Sequence, residues 1–290
     1  MKQTIKHLLL ATAASGLFAG ATAAQSAQAD AQLERAREGY AAAEWTAGPA
    51  RDGFTLASLE LSGFRGAELE SQKGHLSRSF FAADAPEGAS PAFLVEGFVG
   101  DDAAQAHELL VQWLAGLSSP KLAPRTEARG FSVGDVAFVG PSGAGPRALS
   151  WVAFTRGNVF VRVVTFDPRA TPTLDLAAVS AAVDGAISSR KALQAGAAVP
   201  RPEVSSFRAA AKDVVAGDSV RLDFTAVDPA GGEPHLTWSV GGTGQGYVER
   251  RADGWHLFTT GPGEIRVTLG VTASTGTYAE SHVTLVAADD

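Results

Sequence analysis

The chain has 290 residues and a formal net charge of −7, from 24 Lys and Arg against 31 Asp and Glu. The longest basic run is Arg250-Arg251, which argues against nucleic acid or anionic lipid as a partner, since both need clustered cations. There is no cysteine, which removes disulfide scaffolds, thiolate catalysis, Cys-ligated zinc and iron–sulfur clusters, and a lipid-modified N-terminal cysteine.

Residues 1–29 read as a secretory signal peptide. Lys2 and Lys6 precede a short apolar run through Leu8, Leu9, Leu10, Leu17 and Phe18, and small residues follow in Ala21-Thr22-Ala23 and Ala27-Gln28-Ala29. The apolar run is too short for a spanning helix, so no membrane insertion is expected once the signal is removed. The expected location is the periplasm or the cell exterior.

Residues 30–193 are expected to form an α+β domain, an antiparallel sheet with packed helices. A short helix is read over 30–47, from Leu33, Ala36, Arg37, Tyr40 and Ala41. Strands are read at Phe54–Leu61, within Leu76–Phe81 and over Pro91–Val99. Asp101 is placed as the cap of a helix reaching about Leu117, with Ala106, Leu110, Trp113 and Leu114 on its apolar stripe. The segments 148–155 and 159–166 are read as a hairpin closed at Gly157-Asn158. A last helix runs from about Thr173 to Leu193. Gly134-Asp135-Val136-Ala137-Phe138 followed by Arg156-Gly157-Asn158 resembles a pairing in uncharacterised bacterial envelope α+β domains. That resemblance implies no activity.

Residues 194–202, with Pro200 and Pro202, form an extended linker. Residues 203–290 then alternate throughout: Val220, Leu222 and Phe224, Leu236, Trp238 and Val240, and Ile265, Val267, Leu269 and Val271 are each separated by polar or small residues. Strands at this spacing predict an all-β sandwich with Trp238 as core anchor. Leu236-Thr237-Trp238-Ser239-Val240-Gly241-Gly242-Thr243-Gly244 is similar to the tryptophan–glycine turn of polycystic-kidney-disease-type (PKD) domains. The run from Pro262 to Thr272 resembles the penultimate strand of that family. Ser239 and Gly242 stand where the family carries acidic residues that brace the turn, so Gly241 to Gly246 is expected to be loose. The resemblance implies an immunoglobulin-like module that binds, spaces or adheres outside the cell.

Catalytic patterns are weak. His75, His107, His235, His256 and His282 form no HxxxH or HExxH spacing. Ser142 lacks the last glycine of a nucleophile elbow, because Ala144 occupies it. Asp223, Asp228 and Glu233 have no regular calcium-ligand spacing. Trp255, which follows the Ala252-Asp253-Gly254 turn, and Tyr247 are the candidate binding residues, as aromatic platforms for a protein or sugar surface. The expectation is an exported, non-catalytic binding or structural protein without cofactor, whose partner is a protein or polysaccharide. The alternatives are a periplasmic assembly factor of chaperone type, engaging clients by strand addition, and an accessory module of a secreted hydrolase.

Overall fold

The computed structural model describes residues 31, 34–35, 38–40, 45–72, 74–117, 122–141, 149–166 and 174–289. The expected signal segment, Ser142 and most of the helix expected over 30–47 lie outside them. Contacts divide the chain into two compact units, residues 1–41 with 111–122 and residues 42–110 with 123–290. In the first, Leu122 lies against the backbone of Gly39. Every described strand belongs to the second, and the division falls within the helix Ala103–Ala115.

The N-terminal part of the second unit is an antiparallel sheet of seven strands: β1 (Phe64–Gly66), β2 (Glu70–Gln72), β3 (His75–Ala82), β4 (Phe93–Val99), β5 (Val136–Pro141), β6 (Leu149–Arg156) and β7 (Val159–Thr165). Their order is β1-β3-β4-β7-β6-β5, with β2 also pairing to β3. Two short helices accompany it, α1 (Ala103–Ala115) and α2 (Leu176–Ser188). Strand makes up 46% of the protein and helix 15%, so the α+β expectation with packed helices is overturned and the chain is mainly β. The helical spacings were present in the sequence, but each sustains only 13 residues. Most core side chains come instead from strands and one loop.

That loop is the segment read as a strand at Phe54–Leu61. It has no strand partner, yet Phe54, Leu56, Leu59 and Leu61 are all buried in the main core. Its carbonyls are satisfied by a cation. The Arg78 guanidinium donates to the carbonyl oxygens of Leu56 (2.7 Å), Ala57 (3.0 Å) and Leu59 (3.0 Å), and also to Ala67 (2.8 Å). Buried carbonyls need a partner, and here one side chain replaces a neighbouring strand. The same core takes Val95, Val152, Phe154, Val161 and Val163 from the sheet and Leu176, Val179, Val183 and Ile187 from α2.

The cap of α1 is shifted by one residue from the expectation. Asp102, one position beyond the expected Asp101, accepts from the Gln105 amide (2.8 Å), and Gln105 accepts in return from the Asp101 amide (2.7 Å). Asp175 caps α2 through the amides of Ala177 and Ala178. The β6–β7 hairpin turns at Gly157, whose φ of +56° suits glycine. Arg156 beside it joins Asp184 on α2 (2.6 Å) to Asp135 (2.9 Å), and Asp135 also accepts from the Gly157 amide (2.6 Å). The Gly134–Phe138 segment and the Arg156-Gly157-Asn158 turn therefore meet in space.

The C-terminal part holds two four-stranded sheets. One has the order β12 (Gln245–Arg251), β13 (Gly254–Gly261), β10 (Ser219–Val227), β8 (Glu203–Ala209); the other β11 (His235–Gly242), β14 (Gly263–Thr272), β15 (Tyr278–Ala288), β9 (Asp213–Val215). They share a core of Val220, Leu222, Leu257, Ile265, Val267 and Leu285, with Trp238 packed against it. The glycine turn after β11 is tied down. The Gly244 amide donates to the Glu264 carbonyl (2.8 Å) and the Glu264 amide to the Thr243 hydroxyl (3.0 Å), so backbone and a threonine hold the turn that was expected to be loose. The β14–β15 turn meets the larger sheet. The Phe54 amide donates to the Thr275 carbonyl (2.6 Å), and Ser71 and Thr272 share a hydroxyl hydrogen bond (2.6 Å). At the linker, Arg201 bridges Asp101 (2.9 Å) and the Tyr278 carbonyl (3.0 Å).

Candidate binding surface

The outer face of the β12-β13-β10-β8 sheet carries Tyr247, an exposed candidate residue, beside further aromatic and polar side chains. Alternation along β12 puts Val248 inward and Tyr247 and Glu249 outward. Pairing places Tyr247 opposite Phe258 and Glu249 opposite His256 on β13, and Ser219 and Arg221 of β10 opposite those same two β13 residues. Tyr247 is 52% exposed, and its ring stacks on Phe258 at 5.1 Å with an interplanar angle of 13°. The Arg251 guanidinium lies over the Phe258 ring at 4.1 Å. The result is an aromatic pair held by its neighbours and rimmed by charge of both signs.

Trp255 is not part of this surface. One position from His256, it points into the sandwich, half-buried against Trp238 at 5.3 Å, with Arg250 at 5.9 Å. Tyr247 and Trp255 therefore lie on opposite faces of one sheet and cannot contact a single ligand together. Phe258 and Arg251 were missed by the sequence reading, although a signal existed. A two-residue connection at Ala252-Asp253 fixes the hairpin register, Arg251 opposite Gly254, and counting back brings Tyr247 to Phe258.

Beside the aromatic pair, the Ser219 hydroxyl lies 3.2 Å from His256 Nδ1, and His256 Nε2 lies 3.1 Å from Asp253. A hydrogen bond from its own backbone amide, then His256 and Arg221, holds the Asp253 carboxyl below its ordinary value. The order hydroxyl, imidazole, carboxylate is that of a nucleophilic triad. The carboxylate is 60% exposed, however, whereas a triad depends on a buried one to orient its imidazole. The arrangement works as a polar brace between β10 and β13.

The remaining candidates disperse. Asp228 is buried and accepts from the amides of Ser274 (2.7 Å) and Ala230 (2.8 Å); burial pushes its carboxyl up, but the bonds from Ser274 and Ala230 outweigh this and hold it low. Asp223 pairs with Arg221 (3.0 Å) instead. His235 and His282 are exposed on the other sheet, and His107 stacks on Trp45 at 4.7 Å. Among the described residues no group of three or more His, Cys, Asp or Glu is placed to hold a metal ion, and no helix is long and apolar enough to cross a membrane. No known protein family and no curated protein matches this chain.

Proposed function

We propose that the chain is an exported, non-catalytic binding protein of the bacterial envelope or cell surface, and that it contacts a protein or polysaccharide through the Tyr247 face of its sandwich. The observation that carries this reading is the exposed Tyr247 ring, supported by Phe258 and flanked by Arg251. An aromatic ring held by its neighbours offers large contact area at little entropic cost. Three further features favour the reading. The N-terminal segment has the charged, apolar and small-residue order of an export signal. The tryptophan–glycine turn and the Pro262–Thr272 run resemble PKD-type modules. The strand order, with β8-β10-β13-β12 against β9-β15-β14-β11, is compatible with the constant-type immunoglobulin arrangement.

The test is site-specific photo-crosslinking of the mature protein in its own envelope. A benzophenone side chain at position 247 is compared with one at position 282, on the other sheet. One dominant adduct from position 247, weakened about tenfold by replacing Arg251 with alanine, supports the reading. Equal labelling from both positions, or none, refutes it.

A further inference from the structure

Among the described residues, the strand edges are guarded in different ways, with one exception. In the large sheet β1 is only three residues long, and at the other end β5 shifts register at Gly140–Pro141 and is bridged at Phe138 by Arg125. In the sandwich β12 carries Glu249, Arg250 and Arg251 and a bulge at Gln245–Gly246. Strand β8 carries Glu203 and Arg208 and faces a register shift in β10, and β9 is three residues long and begins on Asp213. Short edges, charges and bulges are the usual protections against unwanted strand pairing.

Strand β11 has none of them. Its eight residues pair with β14 without interruption, from His235↔Thr272 to Gly242↔Ile265, and contain no Asp, Glu, Lys, Arg or Pro. Among the described residues no strand pairs with its other side. Among the described residues the large sheet meets this one at the first rung, where Ser71 of β2 hydrogen-bonds Thr272 and β2 lies near that end of β11. The inward-facing Leu236, Trp238 and Val240 are half-buried, while Ile265, Val267, Leu269 and Val271 of β14 are fully buried. Apolar surface therefore continues along the open edge.

We propose that β11 pairs antiparallel with β11 of a second copy of this chain. The charge pattern selects that occupant. An acidic chain of net charge −7 meets itself with repulsion over most of its surface, but Leu236 to Gly242 opposes the same uncharged residues in its copy. Antiparallel pairing of identical strands is two-fold and closes on itself. It joins two four-stranded sheets into one and leaves neither β11 edge open. The inference is independent of the Tyr247 reading, which concerns the opposite sheet.

The experiment is sedimentation equilibrium of the mature chain with two charge variants at Ser239, an exposed outward residue at the middle of β11. The wild type is expected to be dimeric at about 100 μM. Ser239→Lys and Ser239→Glu are each expected to be monomeric, with the unfolding temperature that the wild type shows when diluted to monomer. Mixing the two variants restores a dimer, because opposite charges now face each other across the two-fold axis. A monomeric wild type overturns the proposal, and so does a dimer that neither variant disturbs. Tyr247→Ala leaves the dimer intact.

Discussion

Glu96 on β4 and Arg162 on β7 are register partners at the centre of the seven-stranded sheet, and the guanidinium grips both carboxylate oxygens. The carboxylate is 8% exposed and the guanidinium 22%. His75, two strands from Arg162, adds its Nε2 to the same carboxylate at 3.3 Å. Two charges are thus held on the sheet face opposite the main core, where each depends on the other for solvation.

Removing one member strands its partner. Glu96→Leu alone is expected to destabilise the protein by roughly 3 kcal/mol, because Arg162 loses its main counter-charge. The double change Glu96→Leu with Arg162→Met is expected to be less destabilising than the single one, since a matched apolar pair needs no counter-charge. Urea unfolding of the four proteins of this cycle checks the prediction, and additive losses would contradict it.

Arg78 carries a different burden. Four carbonyl oxygens depend on it, three of them in the loop that feeds Phe54, Leu56, Leu59 and Leu61 to the core. Arg78→Leu keeps apolar bulk but leaves those oxygens without a donor, and is expected to cost roughly 3 kcal/mol. Amide exchange over residues 53–61 should rise more than exchange in β4 or β7. Uniform acceleration would show that the guanidinium does not hold the loop in particular.

This loop also marks where sequence reading fails. Phe54-Thr55-Leu56-Ala57 alternates like a strand, and burial of Phe54 and Leu56 was legible; the hydrogen-bond donor was not, because Arg78 lies 19 to 22 residues from the loop carbonyls it serves. The β6–β7 hairpin and the inward Trp238 were readable because each rests on neighbours in the chain, whereas the cap of α1 was placed one residue early, at Asp101, and the cap at Asp175 was not read. Trp255 was open to misreading for a related reason. Its position after a turn suggested exposure, while the register that turns it toward Trp238 comes from pairing with β12 and β10. The two described helices, Ala103–Ala115 and Leu176–Ser188, fall inside longer expected spans and were overvalued, since periodicity says nothing of how little of the core a short helix supplies.

Stability is expected to fall as the pH drops below the ordinary histidine value of 6.5. Burial lowers the pKa of His75, and Arg162 reinforces this against the pull of Glu96; burial likewise lowers His107 against Glu108. A group that binds its proton less readily when folded lets the unfolded state take up more protons, so acid favours unfolding from 6.5 downward. Above 6.5 both states are neutral and the dependence vanishes. Changing both histidines to glutamine should flatten the urea midpoint between pH 7 and pH 5, within about the range set by other groups. An unchanged slope would assign the effect elsewhere.

The junction between the large sheet and the sandwich tests whether they unfold together. Gly276 adopts φ +81°, and a side chain there would fall on the Phe54 carbonyl oxygen and within 3.0 Å of Leu76. Glycine is required twice over, by its backbone conformation and by the close approach. Gly276→Val must therefore displace the Ala273–Thr277 turn, breaking the Phe54–Thr275 hydrogen bond. With the turn seated, calorimetry is expected to show one transition; with valine, two, the sandwich core of Val220, Leu257, Ile265 and Leu285 being complete without the sheet. The variant is expected to lose upwards of about 2 kcal/mol from the large sheet, whose Phe54 anchor is released. If the valine protein melted in one transition at the wild-type temperature, the turn would not couple the two parts.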